Sequence, residues 1–96
     1  MEFNDYQKLA NRTLEGNEHV LTNLSLGLAS ESGEVIDLIK KYTFQGADLD
    51  QEQLKHEMGD VLWYLSQIAL WANVDFDEVA KSNIKSLEQK YPNVKR

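Results

Sequence analysis

Two short acidic motifs stand out in this sequence because their spacing could do metal chemistry. Residues 31–34 read Glu-Ser-Gly-Glu, and residues 57–60 read Glu-Met-Gly-Asp. Side chains three positions apart on a helix project from the same side, with about 5 to 6 Å between their Cβ atoms. Each motif would therefore pair two carboxylates on one helical face. The four candidate catalytic residues are Glu31, Glu34, Glu57 and Asp60.

Both motifs interrupt stripes of apolar residues. Glu31 occupies a core position on the stripe that contains Leu28 and Val35, and Glu57 and Asp60 lie at the margin of a second stripe. A carboxylate in such a position is protonated, paired with a base or bound to a metal, because an unpaired buried charge is costly. Carboxylates without His or Cys suit a hard cation. The motifs favour Mg²⁺, with Mn²⁺ as the alternative.

A solvated acidic face is the competing interpretation, since exposed carboxylates are common and other acid pairs in the sequence share the spacing. Two matching motifs on apolar stripes make metal binding the better account. Each motif also encloses a glycine, Gly33 or Gly59, although glycine inside a helix costs about 1 kcal/mol relative to alanine. We expect these glycines to let two helices approach closely beside the carboxylates.

Four helices must position the motifs. Apolar residues recur every three or four positions and no stretch alternates like a half-buried strand, so the fold class is all-α and resembles a four-helix bundle. The predicted helices cover residues 5–14, 23–41, 51–72 and 76–91, with Asp50 and Asp75 as N-caps of the last two. The third helix is apolar on most sides, which predicts a homodimer or homotetramer.

Composition narrows the function classes. A chain of 96 residues is expected to form a single domain over residues 1–96. The net charge of −6 argues against nucleic-acid polymers, whose binding depends on Lys and Arg. The absence of cysteine, of a basic-apolar leader and of a long apolar run predicts a cytoplasmic protein with no membrane contact.

The motifs lie within a longer pattern. Residues 27–35 read Gly-Leu-Ala-Ser-Glu-Ser-Gly-Glu-Val, and residues 56–65 read His-Glu-Met-Gly-Asp-Val-Leu-Trp-Tyr-Leu. In these residues the chain resembles the MazG-like nucleoside triphosphate pyrophosphohydrolases, a family of all-α enzymes. Further similarity lies in residues 40–46, in Tyr6-Gln7, and in Asn83 with Tyr91-Pro92. The similarity covers nearly the whole chain.

The resemblance implies Mg²⁺-dependent hydrolysis of (deoxy)nucleoside triphosphates to the monophosphate and pyrophosphate, which would serve nucleotide-pool house-cleaning. It implies that the four carboxylates bind the metal, and that helices from two subunits complete each site. Ser86 stands where the family often has Lys, Lys90 stands at an Arg-like position, and Ala47 follows Gly46 where a basic residue is common. The candidate substrate-binding residues are Asn83, Lys81, Lys85, Lys90 and Trp63.

Three other interpretations compete with a pyrophosphohydrolase. A di-iron carboxylate bundle uses Glu-x-x-His motifs, and neither His19 nor His56 follows a glutamate by three positions. Both histidines are expected on the surface. The chain could instead be a non-catalytic helical interaction module, or a regulatory nucleotide-binding protein with an inactive site. Substrate-dependent release of pyrophosphate distinguishes both of these from an enzyme.

Overall fold

Helices account for nearly all the regular structure. The computed structural model describes residues 1–13 and 20–93, and no strand occurs among them. The elements in chain order are α1 (Phe3–Ala10), a short 3-10 helix (Asn11–Thr13), α2 (Val20–Phe44), α3 (Gln51–Trp71) and α4 (Phe76–Lys90). The all-α prediction is confirmed. Part of the first predicted helix, at Leu14, lies outside the described residues, as does His19.

The two predicted N-caps start their helices as expected. The Asp50 carboxylate accepts hydrogen bonds from the backbone N–H groups of Glu52 and Gln53, at 3.0 and 3.1 Å. The Asp75 carboxylate accepts one from the backbone N–H of Glu78 at 3.2 Å. These bonds satisfy amide groups that have no partner inside the first turn of a helix. Residues 51 and 76 are therefore fixed as the helix starts.

Helix α3 is the centre of the molecule, because it packs against α2, α1 and α4. Helices α2 and α3 run antiparallel, joined by residues 45–50, and form the most extensive helix pair. The buried apolar side chains include Leu24, Ala69 and Phe76. Within the described ranges, no helix has the length and apolar character needed to cross a bilayer.

The Tyr64 ring of α3 packs directly against Gly27 of α2. A Cβ atom on Gly27 would overlap the ring of Tyr64, so only glycine admits the aromatic ring at this position. The expectation for Gly33 and Gly59 was wrong: no atom lies within 4 Å of where their Cβ atoms would be. Each helix residue points about 100° away from the one before it. Glu31 and Glu57 face the other helix, so the glycines two positions later face away from it.

Polar side chains fill the contact between α1 and α3. The Gln7 side-chain amide donates to the Ser66 carbonyl at 2.9 Å, and the Gln67 side-chain amide donates to the Gln7 carbonyl at 3.4 Å. The indole N–H of Trp63 donates to the Ala10 carbonyl at 3.3 Å. These bonds fix the position of α1 over the middle of α3, next to the acidic motif of residues 57–60.

The start of α1 is joined to the start of α4, and we call this contact the α1–α4 junction. The Asn4 amide donates to the Asp75 carboxylate at 3.0 Å, while its oxygen accepts from the backbone N–H groups of Phe76 and Asp77 at 3.0 and 3.2 Å. The Asp77 carboxylate accepts from the backbone N–H of Phe3 at 3.0 Å. The Asn4 side chain therefore supports the start of α4, and the Asp77 carboxylate supports the start of α1.

Candidate active site

Four carboxylates from α2 and α3 form what we call the carboxylate cluster: Glu31, Glu34, Glu57 and Asp60. The antiparallel packing places residues 31–34 level with residues 57–60. The pKa of Glu31 is raised above its ordinary value, first because the side chain is half-buried and then because the Asp60, Glu57 and Glu34 charges lie close. A hydrogen bond between Glu31 and Glu57 also raises it. Glu31 therefore interacts with Glu57 and Asp60 across the two helices and with Glu34 along α2.

The cluster has little positive charge beside it. Across residues 1–13 and 20–93, no lysine or arginine forms a salt bridge with any of its four members. Lys41 pairs instead with Asp37, at 2.9 Å. Among the residues that the structure describes, the ionisable base in contact with the cluster is His56, whose Nε2 lies 3.4 Å from Asp60 Oδ2. Like charges held together in this way are stabilised most directly by a bound cation.

A cavity opens beside the cluster, with a volume of about 320 Å³ and walls that include Glu31, Asp60, Trp63 and Tyr64. The Trp63 and Tyr64 rings meet edge to face, with centroids 4.9 Å apart and planes at 83°. Because the Trp63 indole N–H bonds to α1, the ring is held in place. The cavity therefore combines two carboxylates with two aromatic surfaces, and its size is within the range of small-molecule sites.

Helix α1 also contributes to this region through Tyr6. The pKa of Tyr6 is raised, first because the phenol is partly buried and second because the Asp60 charge disfavours a phenolate nearby. Sequence reasoning did not select Tyr6 or Tyr64 as site residues. The spacing of four between Asp60 and Tyr64 indicates that both lie on one face of α3. The position of Tyr6, in contrast, depends on how α1 packs on α3.

The remaining predicted site residues lie on α4, away from the cavity walls. Lys81, Asn83, Lys85 and Lys90 are all exposed. The Lys81 ammonium is 3.9 Å from the Glu78 carboxylate, and the Lys90 ammonium lies 5.4 Å from the centre of the Tyr91 ring. Helix α4 packs against α1 and α3. The structure thus brings Trp63 to the cluster and leaves these four residues facing solvent.

Comparison with known proteins gives the family. The model of the MazG nucleotide pyrophosphohydrolase domain matches residues 20–95, which include both acidic motifs, the cavity aromatics and α4. This chain belongs to the MazG nucleotide pyrophosphohydrolase family. Helix α1, with Tyr6, precedes the matched MazG segment. The MazG-like resemblance noted in the two motifs is therefore confirmed at the level of the family.

One curated relative is similar to this MazG domain. The Gene 37 protein of Mycobacterium phage L5 is 28% identical over an alignment of 74 residues, and the alignment covers 73% of this chain and 65% of the phage protein. The matched region thus spans about two thirds of that relative. No solved structure matches the chain significantly. The fold described above therefore rests on this chain's own helices and on the MazG family match.

Proposed function

We propose that the chain hydrolyses nucleoside triphosphates to the monophosphate and pyrophosphate with the help of Mg²⁺. The observation that carries the proposal is the interaction of Glu31 with Glu57 and Asp60 on α3 and with Glu34 on its own helix. Partial burial first, and these neighbouring acids second, raise the pKa of Glu31. The donor set fits the metal, because it consists of carboxylate oxygens and Mg²⁺ prefers oxygen ligands. Mn²⁺ has the same preference and is the alternative ion.

The four cluster carboxylates would hold the metal and so serve as its ligands in this proposal. When bound, Mg²⁺ supplies positive charge to the triphosphate oxygens and lowers the pKa of a coordinated water. A cluster carboxylate that is not fully engaged as a ligand can accept the proton of the attacking water. Attack on the α-phosphorus then forms one P–O bond and breaks another, and pyrophosphate leaves.

The nucleoside would occupy the cavity beside the cluster. Trp63 offers a fixed aromatic face next to Asp60 and Glu31, and stacking against a base is a common use of such a face. Tyr64 shares the wall and is the second aromatic candidate. The exposed α4 residues lie away from these walls, so they would contact the phosphates only in a site that a second copy of the chain completes: Lys81, Asn83, Lys85 and Lys90.

A second copy of the chain would complete the assembly. The accessible surface is 7549 Å², whereas a compact monomer of this mass exposes about 5600 Å². The radius of gyration is 15.9 Å, compared with about 12.5 Å for a compact domain of this length. The excess surface is of the size that stable homodimers bury. We therefore propose that the functional protein is a homo-oligomer.

Two exposed apolar surfaces are the proposed contacts between copies. One is a groove between α2 and α3, with a volume of about 400 Å³, lined by Ser32, Val35, Ile36, Met58, Val61 and Leu62. The other is the α4 stripe that contains Val79, Ile84 and Leu87, which are 44, 52 and 43% exposed. Isolated exposed apolar residues are ordinary, but continuous apolar patches favour protein contacts.

The oligomer can be tested by light scattering after size exclusion. Ile36→Asp places a charge in the groove and should shift the mass towards the monomer, because charges are depleted from interface cores. Ser30→Asp adds the same charge at an exposed position of α2 outside the groove lining and should leave the mass unchanged. A wild-type chain that elutes as a monomer at working concentration would contradict the proposal.

The enzymatic proposal is tested by product analysis. Purified protein is incubated with each of the eight common (deoxy)nucleoside triphosphates and Mg²⁺, and pyrophosphate and phosphate are measured separately. Pyrophosphate with a monophosphate, lost on addition of EDTA and in Glu34→Gln, is the expected outcome and would support a role in clearing the nucleotide pool. Mg²⁺ binding without any release of pyrophosphate would favour the regulatory or interaction-module alternative.

A further inference from the structure

His56 lies on the outer side of the carboxylate cluster. Its side chain is 72% exposed, which confirms the expected surface position. The imidazole Nε2 is nevertheless 3.4 Å from Asp60 Oδ2, because residues four apart on a helix lie on the same face. One ligand atom from each of His56, Glu57 and Asp60 lies within 4.8 Å of the other two. Three potential metal ligands of two chemical kinds thus converge on one helix.

The separations suit a single ion. Two ligands bound to one tetrahedral ion at distances of about 2.1 Å are about 3.4 Å apart, which equals the His56–Asp60 separation in the structure. Glu57 forms no salt bridge with a lysine or arginine among the described residues, so it can join them once its side chain leaves its hydrogen bond with Glu31. The nearby charges of Glu31 and Glu34 would favour a cation at the same place.

We infer that His56, Glu57 and Asp60 form a mixed nitrogen–oxygen site for a borderline divalent transition metal such as Ni²⁺, Co²⁺ or Zn²⁺. An imidazole nitrogen suits these ions, whereas Mg²⁺ takes oxygen ligands and gains little from it. For nitrogen and oxygen donors, affinity rises along the series from Mn²⁺ through Co²⁺ to Ni²⁺. His56 therefore biases one side of the cluster towards metals that four carboxylates alone would not select.

The inferred site shares Glu57 and Asp60 with the carboxylate cluster. A transition metal held by His56 would draw both carboxylates to the outer side of α3 and remove two of the four ligands proposed for Mg²⁺. Such a metal would then inhibit Mg²⁺-dependent turnover. This consequence rests on the proposed function, whereas the binding of the transition metal does not.

The test is calorimetric titration of the full chain with Ni²⁺, in parallel on wild type, His56→Gln and His19→Gln. The second variant removes the other histidine of the sequence and is the matched control. His56→Gln should weaken Ni²⁺ binding at least about 10-fold, as loss of one ligand or supporting group commonly does. His19→Gln should stay within about threefold of wild type, and circular dichroism verifies that both variants remain folded.

A second readout identifies the ligand directly. On titration with diamagnetic Zn²⁺, the imidazole NMR signals of His56 should shift or broaden before those of His19. Equal Ni²⁺ affinity in wild type and His56→Gln, no Ni²⁺ binding by wild type, or unmoved His56 signals would each overturn the inference. If the protein binds Ni²⁺ through His56 but releases no pyrophosphate, the proposed function is refuted and this site is retained. If the protein releases pyrophosphate with Mg²⁺ but His56→Gln leaves the Ni²⁺ affinity unchanged, the site alone is refuted.

Discussion

Two regions of the molecule treat their carboxylates in opposite ways. At the α1–α4 junction, the pKa of Asp75 is lowered, first because the Asn4 amide donates to it and second because the backbone N–H of Glu78 does. In the carboxylate cluster, the pKa of Glu31 is raised by partial burial and by neighbouring acids. At the junction, hydrogen-bond donors stabilise the carboxylate, whereas in the cluster neighbouring carboxylates repel one another. Such an arrangement favours a bound cation, as the proposed function requires.

The largest difference is expected between the effects of substitutions in the two regions on the rate of pyrophosphate release. Asp60→Asn removes a charge from the cluster and should lower Mg²⁺-dependent pyrophosphate release at least about 100-fold, because a metal ligand is lost. Asp75→Asn makes the same chemical change at the junction, where Asn also serves as an N-cap, and should retain the rate within about threefold. Equal losses in the two variants would show that the rate depends on folding rather than on the cluster.

The packing of α2 on α3 can be tested with three glycines. Gly27→Ala should lower the free energy of unfolding by about 1 to 3 kcal/mol, because the new methyl group overlaps the Tyr64 ring. Gly33→Ala and Gly59→Ala meet no atoms within the chain and should raise it by about 0.5 to 1 kcal/mol. Urea unfolding at one protein concentration measures all three.

The outcome for the two outer glycines also bears on assembly. If Gly33→Ala or Gly59→Ala lowers stability and shifts the mass towards the monomer, these glycines face a second copy of the chain. Loss of stability without a change in mass would contradict the open surroundings described above.

A smaller effect of opposite sign is expected for metal-free stability. In EDTA, Glu31→Gln should raise the midpoint of thermal unfolding, because a half-buried acid among like charges becomes neutral. Asp75→Ala should lower the midpoint by about 5 °C, because the N-cap and the bond from Asn4 are lost. Saturating Mg²⁺ should stabilise wild type more than Glu31→Gln. A lower midpoint for Glu31→Gln in EDTA would contradict the view that the cluster is strained without a cation.

The smallest effect concerns pH. The folded metal-free chain binds the Glu31 proton more tightly than the unfolded chain, so this carboxyl lowers stability as pH rises from its ordinary pKa of 4.5 through the raised value. Asp75 behaves oppositely. Its contribution is present above the ordinary pKa of 3.8 and is lost as pH falls through the lowered value.

Urea unfolding in EDTA from about pH 3 to pH 7 measures both contributions. The advantage of Glu31→Gln over wild type should disappear at the acid end, and so should the disadvantage of Asp75→Ala. An advantage of Glu31→Gln that persists unchanged at pH 3 would indicate that it does not come from the charge.

The sequence allowed the four helices to be predicted, because caps and periodicity are local signals. The Asp50 and Asp75 caps form as expected, and the acidic motifs of α2 and α3 lie level with each other. The orientation of Gly33 and Gly59 was predicted wrongly. Each lies two positions after a motif glutamate, about 200° around the helix, so it faces away when that glutamate faces the other helix. The place of Tyr6 depends on polar contacts between Gln7 and α3, which periodicity does not encode.

The most direct test of the account is calorimetric measurement of Mg²⁺ binding to the full chain, with Asp60→Asn and Asp75→Asn as a matched pair. We predict that wild type and Asp75→Asn bind Mg²⁺ with affinities within about threefold of each other, and that Asp60→Asn binds at least about 10-fold more weakly. A wild-type chain that does not bind Mg²⁺, or an Asp60→Asn variant that binds it as tightly as wild type, would contradict the claim that the carboxylate cluster is a metal site.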